Sequence, residues 1–274
     1  MMRALRGRAV LLGIVTSVVV FSPVHAMERR NGGCQAQALR ELERLSPQGF
    51  AVYRAISDKK FFTNWISCGS AQLSLTTAVH ESVHHLTSSK NGYYLLNGSV
   101  LRRPPELTKL AQPRQIAGTF RGDTYVQTYL RLGAATSAVD MTYLLDELNA
   151  YTHDLNTAVN LVSLSKPSDG SVSNRDGLGA LMSFVMKYAD HAKQKNPATW
   201  ATLKSPGPQQ TIRTLWAQAE TVMASSCGIP RFGVNDRPYI SFICNTANGD
   251  ALREILGRPA SCPQSCLSNS VATR

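Results

Sequence analysis

Acidic side chains are scarce in this chain, which has 18 aspartate and glutamate residues against 29 lysine and arginine residues. The resulting net charge of +11 would suit an anionic partner. The basic residues are scattered along the sequence, however, and no nucleic-acid-binding motif is present. We therefore expect no nucleic-acid partner and attribute the charge to a generally basic surface.

Long apolar runs are also missing, apart from one near the N-terminus. Three arginines precede an apolar stretch at residues 9–21, which is too short to span a bilayer, and the small residue Ala26 follows it. This order of a charged segment, a short apolar segment and a small residue is typical of a secretory signal peptide. The sequence predicts a signal peptide at residues 1–26, no membrane span, and a secreted or periplasmic protein.

A C-x-x-C pair is absent as well, which disfavours a zinc site made of cysteines. All six cysteines follow the predicted signal peptide, and an even number of cysteines in an exported protein indicates disulfides. Closing the shortest loops is the simplest of the possible pairings. On that basis we predict the disulfides Cys34–Cys68, Cys227–Cys244 and Cys262–Cys266.

The most informative motif that is present is H-E-x-x-H, which begins at His80. Residues four apart lie on the same face of a helix, so His80 and His84 could bind one Zn²⁺ ion, with Glu81 beside them as a general base. The segment also carries an apolar stripe with helical spacing, made of Leu75, Val79, Val83 and Leu86. This stripe predicts a helix that holds both histidines at the border of the core.

A catalytic zinc site usually has a third protein ligand. The extended metzincin pattern requires a glycine and a third histidine where this chain has Thr87 and Lys90, so that pattern is excluded. Glu147 is the leading candidate, because it lies at the edge of an apolar helical stripe, where a carboxylate needs a partner. A salt bridge to a lysine or arginine is the alternative role for Glu147. Other candidate ligands are Glu106, Asp123, His153 and His191.

The motif and the later glutamate resemble the zincin metallopeptidases, and specifically the gluzincins, in which one helix supplies two histidines and a later helix supplies a glutamate. This resemblance covers His80, Glu81, His84 and, beyond the motif, Glu147. It implies zinc as the cofactor and a water molecule activated by Glu81. Gluzincins often carry an aspartate one turn after the ligand glutamate, but Tyr151 occupies that position here.

The resemblance also implies residues around the zinc ligands that support the reaction. Asp154 is the nearest acidic residue beyond Tyr151 on the same helix edge, which makes it a candidate partner for a zinc-binding histidine. The oxyanion of a tetrahedral intermediate needs a hydrogen-bond donor besides the metal. Candidate donors are Tyr143, Tyr151, His153 and Tyr188.

Hydrophobic periodicity predicts an α+β protein that is mostly α, with a small sheet or hairpin and disulfide staples. The resemblance implies that it has a zincin-like metallopeptidase core. Asn97-Gly98 lies between two apolar runs and predicts a hairpin at residues 93–101. Two further segments, 61–66 and 239–244, are aromatic and β-branched and could be strands. Helices are predicted at 34–45, 47–55, 71–86, 123–132, 138–164, 176–195, 208–226 and 249–257.

The predicted mature chain, residues 27–274, is short enough for one metallopeptidase-like domain, in which residues 205–274 could form a helical, disulfide-rich lobe. The predicted function is that of an exported zinc metallopeptidase acting on protein or peptide substrates. One alternative is a hydrolase of cell-envelope peptides, or a secreted effector, that uses the same site. Another is a catalytically silent zinc-binding interaction protein, although a purely structural site would not need Glu81. The sequence does not indicate an oligomeric state.

Overall fold

The computed structural model describes residues 23–120, 122–166 and 172–268. Residues 1–22 of the predicted signal peptide lie outside these ranges, so the signal peptide stays a prediction. Within them, every helix is too short or too polar to cross a membrane. The described chain is mostly helical with one small antiparallel sheet, which confirms the mostly α, α+β class.

Most of the α-helices are short, and five of those described have 20 residues or more. The longest are α1, α4, α6, α7 and α9, and shorter helices connect them. In chain order they are α1 Pro23–Leu45, α2 Pro47–Ala55, α3 Lys59–Asn64, α4 Ala71–Lys90, α5 Thr124–Tyr129, α6 Met141–Asn160, α7 Asn174–Lys195, α8 Pro197–Leu203, α9 Pro206–Ser226, α10 Arg237–Cys244, α11 Asp250–Leu256 and α12 Gln264–Ser268.

Helices α4 and α6 pack against each other at the centre of the molecule. Helix α4 ends at Lys90, where Asn91 adopts the left-handed conformation that closes many helices. Helix α6 begins after Asp140, whose side chain accepts a hydrogen bond from the Thr142 N–H at 2.8 Å. The predicted apolar stripe of α4 is buried in full, which confirms the helix prediction for this segment.

Two apolar clusters meet at α6. The N-terminal cluster is built from α1 to α4 and includes Ala150 on one side of α6. The larger cluster contains side chains of α7, α9, α10 and α11, together with Leu144, Leu148 and Leu155 of α6. Because α6 is held by packing on both sides, the polar side chains on its remaining face have little freedom to move.

The hairpin is confirmed between the two predicted apolar runs. Strand β1 (Gly92–Tyr94) pairs antiparallel with β2 (Val100–Arg102). Gly98 in the turn has φ +82°, a conformation that disfavours residues with a side chain. The backbone carbonyl of Tyr94 then accepts hydrogen bonds from Asn149 and His153, which fastens the hairpin to α6.

Two strand predictions were wrong, because residues 61–66 fall largely in α3 and residues 239–244 in α10. Helix α3 is started by Asp58, whose carboxylate accepts from the N–H groups of Lys60 and Phe61. Helix α10 has Pro238 in its first turn, where a missing N–H costs nothing. In both segments, helix-starting residues outweigh the weak strand preference of aromatic and β-branched side chains.

Three disulfides are present, and they are consistent with an exported protein. The Cys34–Cys68 prediction is confirmed, whereas the predicted pairs Cys227–Cys244 and Cys262–Cys266 are wrong. The pairs are Cys227–Cys266 and Cys244–Cys262. The physical reason is that α12 packs against both α9 and α10, so the tail delivers one cysteine to the end of each helix.

The C-terminal connectivity has a direct test. In a Cys244→Ser variant we expect Cys262 to become the alkylatable thiol while the Cys227–Cys266 link persists, and the free energy of unfolding to fall by about 3 kcal/mol because an 18-residue loop is opened. Thiol alkylation followed by mass spectrometry identifies the free cysteine, and denaturant unfolding measures the loss. Alkylation at Cys227 would contradict this connectivity.

Candidate metal centre

Three side chains from α4 and α6 converge on one point. The Nε2 atoms of His80 and His84 lie 3.2 Å apart. The Oε2 atom of Glu147 lies 3.8 Å from the first and 3.5 Å from the second. Among the described residues this is the one group of three or more such side chains that could hold a metal ion.

The size of this triangle matches the demands of a small divalent ion. A point in the plane of the three atoms lies about 2.0 Å from each of them, close to the distance at which zinc binds histidine nitrogen and carboxylate oxygen. The helix spacing of the two histidines and the packing of α6 against α4 produce this arrangement. The residues present therefore fit a metal ion.

The charges around the triangle also favour a cation. Helix α6 directs three buried or half-buried carboxylates toward α4, namely those of Asp146, Glu147 and Asp154. Within the described ranges their ion-pair partners are His80 and His84, and no lysine or arginine pairs with them. Glu147 Oε2 is buried and makes no hydrogen bond of normal geometry. The alternative role for Glu147, a salt bridge to lysine or arginine, is therefore not seen.

Each histidine directs its other ring nitrogen at a carboxylate. His84 Nδ1 donates to Asp146 Oδ2 at 2.8 Å. His80 Nδ1 lies 4.0 Å from Asp154 Oδ2, and Asp154 Oδ1 in turn accepts from Asn174 at 2.5 Å. A carboxylate on Nδ1 fixes the ring and leaves Nε2 as the metal-binding atom. Asp146 does this for His84, whereas Asp154 lies beyond hydrogen-bond distance of His80. Both histidines direct Nε2 at the centre of the triangle.

The pKa values reflect the excess of negative charge. Burial lowers the pKa of His84, but its hydrogen bond to Asp146 and its contact with Glu147 raise the pKa to about 10. Burial, reinforced by the neighbouring His84, holds the pKa of His80 well below its ordinary value. One protonated histidine therefore faces the carboxyl groups of Asp146, Glu147 and Asp154, and burial raises the pKa of Asp154 to about 7. A divalent cation would balance the charged groups more completely.

A cleft with a volume of about 240 Å³ opens beside His80. Glu81 lines this cleft, and burial raises the pKa of its carboxyl group. Tyr151 also lines it, with its ring 4.7 Å from that of His80 and its hydroxyl 2.8 Å from the hydroxyl of Tyr129. The predicted base and one predicted oxyanion donor therefore share a cavity with a histidine of the triangle.

Gly177 allows α7 to approach Tyr151 closely. A Cβ atom at position 177 would lie 2.0 Å from the Tyr151 ring, well inside van der Waals contact. The ring of Tyr151 could then no longer rest against His80 in its present position. The glycine therefore helps to set the wall of the cleft.

Other predicted site residues lie elsewhere and do not line the cleft. His153 is buried and donates from Nε2 to the Tyr94 carbonyl at 2.8 Å, and burial lowers its pKa to about 4. Tyr143 is exposed, with the Arg103 guanidinium 5.8 Å from its ring. The Tyr188 hydroxyl donates a hydrogen bond to the Ala111 backbone carbonyl.

The alternative third ligands are also outside the triangle. Asp123 caps α5 by accepting from the N–H groups of Tyr125 and Val126, as its sequence context suggested. His191 bonds to Gln115 at the surface. Glu106 is exposed in a 3₁₀ turn. Of the candidate ligands described, Glu147 is the one that meets the two histidines.

Sequence reasoning missed Asp146, Tyr129 and Asn174. A usable signal existed for Asp146, which is a second acidic residue beside Glu147 in an otherwise apolar helical segment. Tyr129 and Asn174 carry no local signal, because they reach the cleft from separate helices.

Comparison with protein-family models, curated proteins and solved structures found no match to this chain. The functional assignment therefore depends on the geometry and chemistry of the site.

The Asp146–His84 hydrogen bond should tune metal affinity. In an Asp146→Asn variant we expect the affinity for Zn²⁺ to fall roughly tenfold to a hundredfold, because the carboxylate that orients His84 and increases its basicity is lost. Competition with a chromophoric chelator measures the change, and circular dichroism checks the fold. Asp190→Asn, in α7 and paired with Lys187, is the matched control and should bind as the parent does. Equal affinity in the Asp146 variant would contradict this role.

Proposed function

We propose that this protein is a zinc-dependent metallopeptidase, with His80, His84 and Glu147 as metal ligands and Glu81 as general base. The observation that carries the proposal is the triangle of ligand atoms beside a cleft that also contains Glu81. Two histidines from one helix and a glutamate from a later helix are the ligand set of the gluzincins. The resemblance stated from the motif therefore extends to Glu147, while a zincin-like core remains part of the proposal.

The number of ligands favours a catalytic site over a structural one. Structural zinc sites are usually closed by four protein ligands, whereas catalytic sites have three and keep one position open. The described residues bring three candidate ligands together. The adjoining cleft provides space for a substrate at the same place.

The chain's own residues would divide the reaction as follows. Zinc, when bound, supplies Lewis acidity that lowers the pKa of water to about 7 and polarises a carbonyl group. Glu81 would accept a proton from the attacking water and transfer it to the leaving amine. The raised pKa of Glu81 suits both steps, because a group that holds a proton more readily is the better acid-base relay near neutral pH.

The hydroxyls of Tyr151 and Tyr129 are the candidate donors to the oxyanion. They bond to each other at 2.8 Å, and both side chains line the cleft with His80. One hydroxyl donates within this pair, so the other retains a proton that can be directed at a substrate oxygen. Burial raises the pKa of both groups, so they keep their protons at neutral pH.

Removing the third ligand is the sharpest test of the site. In Glu147→Ala we expect zinc to be lost under mild chelation and activity to be lost with it, because two histidines cannot close the site. Glu106→Ala, which removes an exposed glutamate, should keep its zinc. Elemental analysis of the purified variants measures the metal. Retention of zinc by Glu147→Ala at parental affinity would refute the ligand assignment.

Removing the base should abolish activity without removing zinc. In Glu81→Gln we expect zinc content and fold to be retained while turnover of a casein or peptide substrate falls by roughly a hundredfold or more. Zinc retention without activity would favour the metallopeptidase over a zinc-binding interaction protein, provided that the parent is active. A parent that binds zinc and cleaves no peptide would leave the interaction protein as the better assignment.

A further inference from the structure

A second pocket adjoins the metal cleft. Ser173 lines both cavities, and the second has a volume of about 440 Å³. Tyr129 of the first cavity stacks on Tyr125 of the second, with ring centroids 6.3 Å apart. The two cavities are therefore parts of one groove, and a chain bound at the metal would pass close to the second pocket.

Asp176 lines this second pocket and forms no ion pair within 4.0 Å among the described residues. Burial raises its pKa, and the nearby Arg175 opposes this larger effect by lowering the pKa. The Asp176 side chain is only 1% exposed. Its Oδ2 atom accepts from the Asn235 N–H at 2.9 Å, the Val234 backbone N–H also interacts with the carboxylate and lowers its pKa, and the Oδ1 atom is buried with no hydrogen bond of normal geometry. The neighbouring Arg175 directs its guanidinium to Asp236 and to the Ser226 carbonyl instead. A buried carboxylate with an unused oxygen is costly unless a partner supplies it with a positive charge or a donor.

Asp123 supplies a second carboxylate to the same pocket. It accepts from the Tyr239 hydroxyl and caps α5, and none of the described lysines or arginines pairs with it. Burial raises the pKa of the Tyr125 hydroxyl to about 12. Its bond to Ser173 lowers the pKa, and the negative charges of Asp176, Asp154 and Asp123 raise it further. Two carboxyl groups, and no lysine or arginine among the described lining residues, therefore line this pocket of a basic chain.

The aromatic rings make the pocket suitable for an organic cation. Tyr125 and Tyr239 meet at nearly a right angle, with ring centroids 6.0 Å apart. An ammonium or guanidinium group gains energy over a tyrosine face, and its alkyl stem packs on the ring. A metal ion is a poor occupant, because the lining offers neither histidine nor cysteine and no cluster of three ligand groups occurs there among the described residues.

We propose that this pocket binds the cationic side chain of a lysine or arginine in a peptide. That this peptide is a substrate rests on the proposed function. Asp176 and Asp123 supply the charge, and Tyr125 and Tyr239 supply the walls. An extended peptide advances about 3.3 Å per residue. The preferred cation is therefore a side chain within a few residues of the bond that is cleaved.

Binding to an inactive variant tests the pocket without requiring turnover. Zinc-loaded Glu81→Gln protein is titrated with two fluorescent alanine–glycine peptides that differ at one central position, lysine in the first and norleucine in the second. We expect the lysine peptide to bind about tenfold more tightly. Asp176→Asn, added to Glu81→Gln, should abolish that difference. Tyr125→Leu should reduce it severalfold, and Asp190→Asn, the matched control on α7, should leave it unchanged.

Equal affinity for the two peptides, or a lysine preference that survives both Asp176→Asn and Tyr125→Leu, overturns the proposal. Circular dichroism shows which variants are folded, and Tyr125→Leu decides the question if Asp176→Asn is not. Metal analysis and a cleavage assay of the parent protein separate the two proposals. If the parent binds no zinc even after reconstitution but the lysine preference is found, the metallopeptidase is refuted and the cation pocket is retained. If the parent shows zinc-dependent cleavage but the titration shows no lysine preference, the cation pocket is refuted and the metallopeptidase is retained.

Discussion

The packing of α4 against α6 is the contact on which the candidate site depends. It sets two imidazole rings opposite three carboxylates that would each be unstable alone in a buried position. The apolar clusters on either side of α6 hold this arrangement in place. Because the helices are fixed by apolar packing, the polar groups between them keep their separations and form a preorganised set of ligands.

Negative charge is concentrated in one groove of a protein whose net charge is +11. Glu81, Glu147 and Asp154 surround the candidate metal centre, and Asp123 and Asp176 line the adjoining pocket. Basic residues elsewhere can interact with water, whereas these carboxylates are buried or half-buried and are balanced poorly by other protein groups. A cation from outside the chain would balance the charge at both places, and we propose a metal ion at the first and an organic side chain at the second.

Local patterns predicted those parts of the fold that depend on local chemistry. The spacing of His80 and His84 and the apolar stripe beside them defined α4, and Asn97-Gly98 defined the hairpin turn. Prediction failed at residues 61–66 and 239–244, where strand-like side chains lie in helices. A cap at Asp58 and a proline in the first turn of α10 decided those segments, together with the apolar surfaces that the two helices cover.

The sequence by itself determined the helix that presents two histidines with a glutamate between them, and it indicated Glu147 through a carboxylate at the margin of an apolar stripe. The tertiary structure alone decided that Asp146 orients His84, that Tyr129 meets Tyr151, and that the C-terminal cysteines pair across the tail. Helical periodicity carries information over a few turns. Contacts between residues tens of positions apart depend on how whole helices pack, and no spacing in the chain encodes that directly.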